Sequence, residues 1–479
     1  MLLLRIKSVV GSVLLNSSIL RLVGIVLTLI YILFLALEQT VYVPTFHLDG
    51  AFQTASGLFR LDQGQLPGKD FFPYLGIGPI LVLFPFFKLL GGNLVASSFA
   101  AKFVTLVLAW VIISTHCLLV FKQQNKLNAL FCGAVFFVLL YFLYGRGMFP
   151  GFLFEPGNSL KPIRSSLPYL DALLIYALLR RDALQQHIST PVLLGWILGL
   201  SLLWSNDFAI TTTAIFSVFI CLFFNFFAEI KQRRQKIFLF IFSLLLTWFA
   251  ISVLITQGHI TELLKYNFAD VATDQWWYYG PYTTNDRIYT LSEIYKLVSV
   301  ENYFPIVILG LGVFSLFITR NIEDTLWVLV GLSLFAGGTV ASIGGHLGGY
   351  FEAFRLWGIL TSLFIFFKLS LSLFGTTVFF FSQNGKCLTT ILLVCFLIAN
   401  VTFEYKAYSS LKNGVASNNN YFFVSDLGGF LHNDWKAYLN FIRQNRDKTV
   451  LEEYWGLWSS FSKSQSPWAV DSVIHALGK

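Results

Sequence analysis

The sequence predicts an all-α polytopic membrane protein of about eleven transmembrane helices, and three observations carry that prediction. Apolar residues fill 56% of the 479 positions and charged residues only 12%, a balance that no single water-soluble core can bury. Stretches of roughly 20 mostly apolar residues, enough to cross about 30 Å of hydrocarbon, recur from residue 19 to residue 401. Lysine and arginine gather in alternate short connections, the pattern expected of cytoplasmic loops. Lipid offers backbone N–H and C=O groups no partner, so each span is expected to be helical.

The first span covers about 19 to 38. The first external loop follows at about 39–93 and holds a polar, glycine-rich stretch from His47 to Pro79. Inside it, Leu75 to Leu90 is apolar but broken by Gly76, Gly78, Pro79 and Pro85, and it ends at Lys88 and the Gly91-Gly92 pair. That segment is expected to be re-entrant or juxtamembrane. Further spans are expected at about 94–121, 127–144, 166–180, 190–205, 208–227, 237–256, 303–319, 325–343, 355–375 and 387–401.

Charge then orients the chain. With Arg5, Lys7 and Arg21 inside, the cytoplasmic connections become KQQNK (122–126), RRD (180–182), EIKQRRQK (229–236), the turn at Arg320 and the turn at Lys386. Counting Leu75 to Leu90 as a full crossing would put KQQNK and KQRRQK outside, which is why that segment is excluded from the spans. The extracytoplasmic side receives the first loop, a second loop (145–165), a tight turn at Ser205 to Asp207, a long loop (about 257–302) and the HLGGYFEAFR connection (346–355). Residues 1–401 thus form a transmembrane module, and 402–479 a small external α-rich domain with amphipathic helix candidates around Asp434 to Arg446.

The net charge of +8 is largely accounted for by cytoplasmic anchoring residues and implies no nucleic-acid partner. All five cysteines (117, 132, 221, 387 and 395) lie in or beside spans, so no external disulfide framework is expected.

Chemistry-bearing residues concentrate on the external side. Asp49, two residues after His47, stands at the outer membrane boundary, followed by helical spacing from Ala51 to Arg60. Such a carboxylate either accepts a proton from an acceptor hydroxyl or caps the helix near Ala51. Asp70 either binds an acceptor or a metal, or it closes the turn after Pro67 and Gly68. Arg146, Lys161 and Arg164 of the second loop suit a phosphate group, with anionic headgroups as the alternative ligand. Lys102 lies inside the second span, where an unpaired charge costs roughly 2.5–3.5 kcal/mol, so it must pair or snorkel. Asp207 faces the same side or caps a helix. Trp276, Trp277, Tyr278 and Tyr279 of the long loop offer sugar-stacking faces or an interfacial belt, and Glu352 with Arg355 form a local pair or close a pocket beside His346. Glu452, Glu453 and the distant His475 fall short of a metal motif.

A hydrophobic first span, an early external Asp49, a surface helix and the run from Leu66 through KDFF to LGIGP, followed by FPFFKLLGGN, resemble the first loop of the GT-C class of polytopic glycosyltransferases. Protein mannosyltransferases and aminoarabinose transferases belong to that class. The resemblance covers the architecture of residues 1 to about 375 and centres on Asp49 to Asn93. It implies inverting transfer of a sugar from a polyprenyl-phosphate donor to a glycan, lipid or protein acceptor, on the extracytoplasmic face of a bacterial inner membrane. Asp49 would be the base. A second acid maps to Glu155 or Asp70, donor-phosphate contacts to Arg146, Lys161, Arg164, Lys102 and Arg355, and acceptor or sugar contacts to His47, Trp276, Trp277 and Tyr279. The resemblance fixes no cofactor, and a divalent cation (Mg or Mn) stays open because paired first-loop acids are absent here. The competing expectations are a lipid-linked glycan ligase or polymerase, or a secondary transporter or flippase; the latter would show an inverted repeat and polar midplane residues.

Overall fold

The computed structural model describes residues 17–44, 53–73, 76–120, 126–142, 154–156, 160–180, 187–227, 232–270, 322–341 and 383–445, together with 310, 357, 358 and 361. Expected spans 303–319 and 355–375 lie almost wholly outside these residues, as do His47, Asp49, Arg146, Trp276, Trp277, Tyr279, His346, Glu352, Arg355 and the tail beyond 445.

The described chain is overwhelmingly helical. In order come α1 (Ser17–Leu37), α2 (Gln53–Asp62), α3 (Ile77–Leu89), α4 (Leu94–Val120), α5 (Lys126–Leu140), α6 (Lys161–Leu179), α7 (Ser189–Ser201), α8 (Phe208–Leu222), α9 (Arg233–Thr256), α10 (Ile260–Lys265), α11 (Ile322–Ala341) and α12 (Gln383–Ala416). A hairpin of β1 (Tyr421–Val424) and β2 (Gly429–His432) follows, then α13 (Lys436–Gln444). Among the described residues, five helices are long and apolar enough to cross a membrane: those at Ser18–Thr40, Leu94–Leu119, Phe208–Phe226, Arg233–Thr256 and Thr390–Ala416.

Helix α3 has 13 residues and spans about 20 Å, short of the roughly 30 Å a straight crossing needs. Length alone also leaves α5 and α7 short, although α5 runs on into a π-turn at 141–142 and α7 into a turn at 202–204. At the other extreme, α12 extends over 34 residues, and the domain boundary expected at 401 falls inside it.

Two apolar clusters organise the packing. The larger lies among the spans and unites Tyr31 and Leu35 of α1, Ile113 of α4, Phe137 of α5, Tyr169 and Leu173 of α6, Phe216 of α8 and Leu334 of α11. Lipid supplies no hydrophobic drive between helices, so close approach at small residues does that work. Gly195 and Gly199 press α7 directly on the backbone of α9; a Cβ at Gly199 would stand 2.6 Å from the Leu244 carbonyl oxygen, and one at Gly195 would overlap that of Phe240. The Ser243 hydroxyl of α9 donates to the Val192 carbonyl at 2.8 Å, sealing the same seam.

The second cluster gathers the first loop, the first turns of α4 and the carboxy-terminal segment. Val43, Ala55, Leu58 and Phe59 of the first loop meet Leu83 and Phe87 of α3, Leu94 and Ala100 of α4, and Ile163 of α6. Val424, Leu427, Leu431 and Leu439 of the carboxy-terminal segment complete it. The tail therefore caps the first loop and shares its core.

Candidate functional site

Three segments assigned by charge to the external side converge through hydrogen bonds. Gly78 N–H of the first loop donates to the Leu203 carbonyl at 3.2 Å, and Asn206 Nδ2 donates to the Pro73 carbonyl at 3.0 Å. Gly76 makes this approach feasible: its φ is +95°, and any Cβ there would lie 2.6 Å from both Ser205 Cα and the Trp204 carbonyl oxygen. Trp204 Nε1 in turn donates to the Ile163 carbonyl of α6 at 2.8 Å. First loop, inter-span turn and second-loop helix are thus one assembly.

Charged side chains stud that assembly in pairs. Arg164, buried in the first turn of α6, forms an ion pair with Asp207. The same aspartate caps α8, accepting from Phe208 N–H at 2.7 Å, while Ser205 Oγ accepts from Ala209 N–H at 3.0 Å. The capping role weighed for Asp207 is present, and the ion pair with Arg164 is a second role that the sequence did not suggest. Lys102 is 2% exposed and pairs with Glu155, which is 45% exposed. Lys102 Nζ also donates to the Phe154 carbonyl at 3.0 Å and stands 5.6 Å from the centre of the Tyr141 ring. The second-acid candidate and one donor-phosphate candidate are therefore each other's partners. Lys161 is half-buried at the start of α6, whose lead residue Leu160 has a left-handed φ of 52°.

In the first loop, the exposed Asp70 closes its own turn: its Oδ2 accepts from Leu66 N–H at 2.8 Å, and its N–H donates to the Leu66 carbonyl at 2.8 Å. Asp62 at the end of α2 pairs with Lys88 near the end of α3. Buried Arg60 donates to Gln65 Oε1 at 3.1 Å and to the Asp70 carbonyl at 3.4 Å, with its guanidinium 5.7 Å from the centre of the Phe71 ring. Arg60 escaped the sequence analysis. Its signal was position: a cation closing a short helix of mixed polarity inside a loop that is otherwise apolar on one face.

Two buried ionisable groups within helices also escaped it. Asp171 of α6 is fully buried and accepts from the Ser201 hydroxyl of α7, while its Oδ1 has no partner among the described residues. His116 of α4 lies 3.2 Å from the Tyr169 hydroxyl through Nδ1 and meets Trp327 edge-on at 4.9 Å; Trp327 stacks on Trp357 at 4.1 Å. An acid or imidazole inside a span was the available signal. Among the described residues no three His, Cys, Asp or Glu side chains gather as cation ligands.

Comparison with models of known protein families and with curated proteins finds no match to this chain.

Proposed function

We propose that the chain is an integral membrane glycosyltransferase that moves a sugar from a polyprenyl-phosphate donor to a glycan, lipid or protein acceptor at the extracytoplasmic face. The supporting observation is the joint assembly of first loop, Ser205 to Asp207 turn and α6, in which Arg164 is held by Asp207 at the ends of the spans. A leaving phosphate needs fixed cations next to lipid, and an arginine oriented by a carboxylate is pre-organised for that task. Lys102, held by Glu155, supplies a second cation to this reading. Asp49 takes the proton of the acceptor hydroxyl, its oxygen attacks the anomeric carbon, and the carbon–phosphate oxygen bond breaks with inversion. Any divalent cation would act on the phosphate side.

The test is incubation of the purified chain with a panel of polyprenyl-phosphate sugars, reading thermal shift for binding and product for transfer. Transfer by the parent chain and none by Asp49→Asn, with equal donor-induced shifts, is the expected result. An Asn variant that is folded and fully active removes Asp49 from the mechanism.

A transporter or flippase is the second reading, favoured by Asp171, since an ionisable residue buried in a span often marks a transport path. Under it, Asp171→Asn stops proton-coupled flux in proteoliposomes; under the transferase reading, the variant transfers sugar normally.

A further inference from the structure

The first external loop is long, and both of its feet are held by the same hairpin. At the leading foot, Phe430 N–H donates to the Val41 carbonyl at 2.9 Å and Val43 N–H donates to the Phe430 carbonyl at 2.8 Å, a parallel bridge centred on Tyr42. At the trailing foot, Val95 N–H donates to the Leu427 carbonyl at 3.1 Å. That N–H belongs to the first turn of α4, where no intrahelical acceptor exists, so the hairpin supplies what the helix end lacks.

The hairpin's register explains how one strand does this. Phe423 opposes Phe430, and Val424 opposes Gly429. Positions in an antiparallel pair alternate between those that bond across the pair and those that do not; Phe430 is of the second kind, so its backbone groups face away from β1 and are free to meet residues 41–43. Two adjacent glycines let the strands come close. Gly428 has φ +82°, and a Cβ there would stand 2.5 Å from Asn93 Nδ2; one at Gly429 would stand 3.2 Å from Val43 N. Asn93 is itself the cap of α4, with Oδ1 accepting from Ala96 N–H at 2.9 Å. Beneath these contacts, Ala55 and Leu58 of α2 share one apolar cluster with Val424, Leu427 and Leu431.

We infer that the carboxy-terminal hairpin is a positioning clamp for the first external loop: Leu427 and Phe430 hold residues 41–43 and 93–95 at a fixed separation, and thereby set the placement of α2. The clamp acts through backbone groups and touches no substrate. Its catalytic consequence rests on the transferase reading, whereas its structural consequence does not. Closing a long loop costs entropy, and a clamp at both feet removes that cost from every turnover.

The experiment uses the full chain in detergent with Ala55→Cys as reporter, labelled by a membrane-impermeant maleimide. Phe430→Pro deletes the N–H to Val41, and Gly428→Val strains φ and crowds Asn93; Phe430→Leu keeps both backbone groups and is the conservative control. Labelling at position 55 should rise about tenfold in the first two, the change that about 1.4 kcal/mol of lost clamping makes in an opening equilibrium, and stay at the parent rate in Phe430→Leu. With a donor that supports transfer, kcat should fall about tenfold or more while KM holds, because misplacement distant from the chemistry costs rate. A Tyr42→Cys/Phe430→Cys disulfide, introduced into Gly428→Val, should restore both protection and kcat when oxidised and lose them when reduced.

Unchanged labelling in Phe430→Pro and Gly428→Val chains that remain monodisperse and helical overturns the clamp. If those two variants fail to fold, Tyr42→Cys/Phe430→Cys alone decides: complete oxidation with unaltered helicity supports the clamp, and no disulfide overturns it. A parent chain that transfers none of the sugars sinks the transferase reading, and the labelling result still judges the clamp.

Discussion

Lys102, two turns inside α4, donates to both Glu155 and the carbonyl of its neighbour Phe154, so a span and the second external loop are joined by one ammonium group. Almost all of the lysine is buried, while the glutamate reaches solvent. The pair therefore offsets the cost of burying the lysine's charge and keeps the carboxylate partly exposed.

That asymmetry makes the two halves of the pair unequal. Glu155→Gln leaves a buried cation with weaker partners and should lower stability by about 1–3 kcal/mol. Lys102→Met removes the buried charge and fills the same volume, so its cost should be nearer zero, since apolar replacement of buried ions is often neutral. Thermal unfolding in detergent, compared for the two variants, checks the order.

Asp207 serves two partners, and substitutions separate them. Asp207→Asn keeps a capping oxygen for Phe208 N–H but leaves buried Arg164 with a weaker partner, and should cost about 1–3 kcal/mol, whereas Asp207→Ala loses the cap as well and should cost about 1 kcal/mol more. Under the transferase reading both variants take from Arg164 its Asp207 carboxylate and lose kcat. Arg164→Lys should reduce kcat about a hundredfold, the usual consequence of removing an oriented donor from a developing anion, with little change in melting temperature.

The α7–α9 seam has no room for side chains at its two glycines. Gly195→Val and Gly199→Val should each destabilise by about 1–3 kcal/mol or more, because the neighbouring backbone cannot move aside. Ser243→Ala, which loses one interhelical hydrogen bond, should cost only about 0.6 kcal/mol. Unfolding in mixed micelles by denaturant titration provides the comparison.

Asp49→Asn should slow transfer by about a hundredfold to ten-thousandfold, the range associated with loss of a general base, without altering the melting temperature. Product formation from the active donor, measured beside circular dichroism, tests both halves.

How far the sequence carried differs from element to element. Spans at 19–38, 94–121, 208–227 and 237–256 were legible because hydrocarbon thickness demands long apolar runs, and helices of that length stand there. The exit from the last span at 401 was read as a domain boundary, yet α12 continues to Ala416. Hydropathy falls beyond 401, but residues such as Lys406 and Leu411 continue the helix because their propensities favour it. The hairpin was not anticipated, since YFFV and GFLH are too short to show a period, and the tail was expected to be α-rich. Lys102 was expected to pair or to snorkel, and it pairs. That the partner is Glu155, itself a candidate acid, could not be read from residues 53 positions apart.

By itself, the sequence determined the apolar character of this chain and the helical state of its long runs, because hydropathy acts locally and additively. Only tertiary structure decided which charges neutralise one another, that Arg60 and Asp171 are buried, and that Leu427 and Phe430 grip both feet of the first loop. Those outcomes depend on separations of a few ångströms between residues far apart in the chain. The free energy of a buried charge or backbone group turns on such distances.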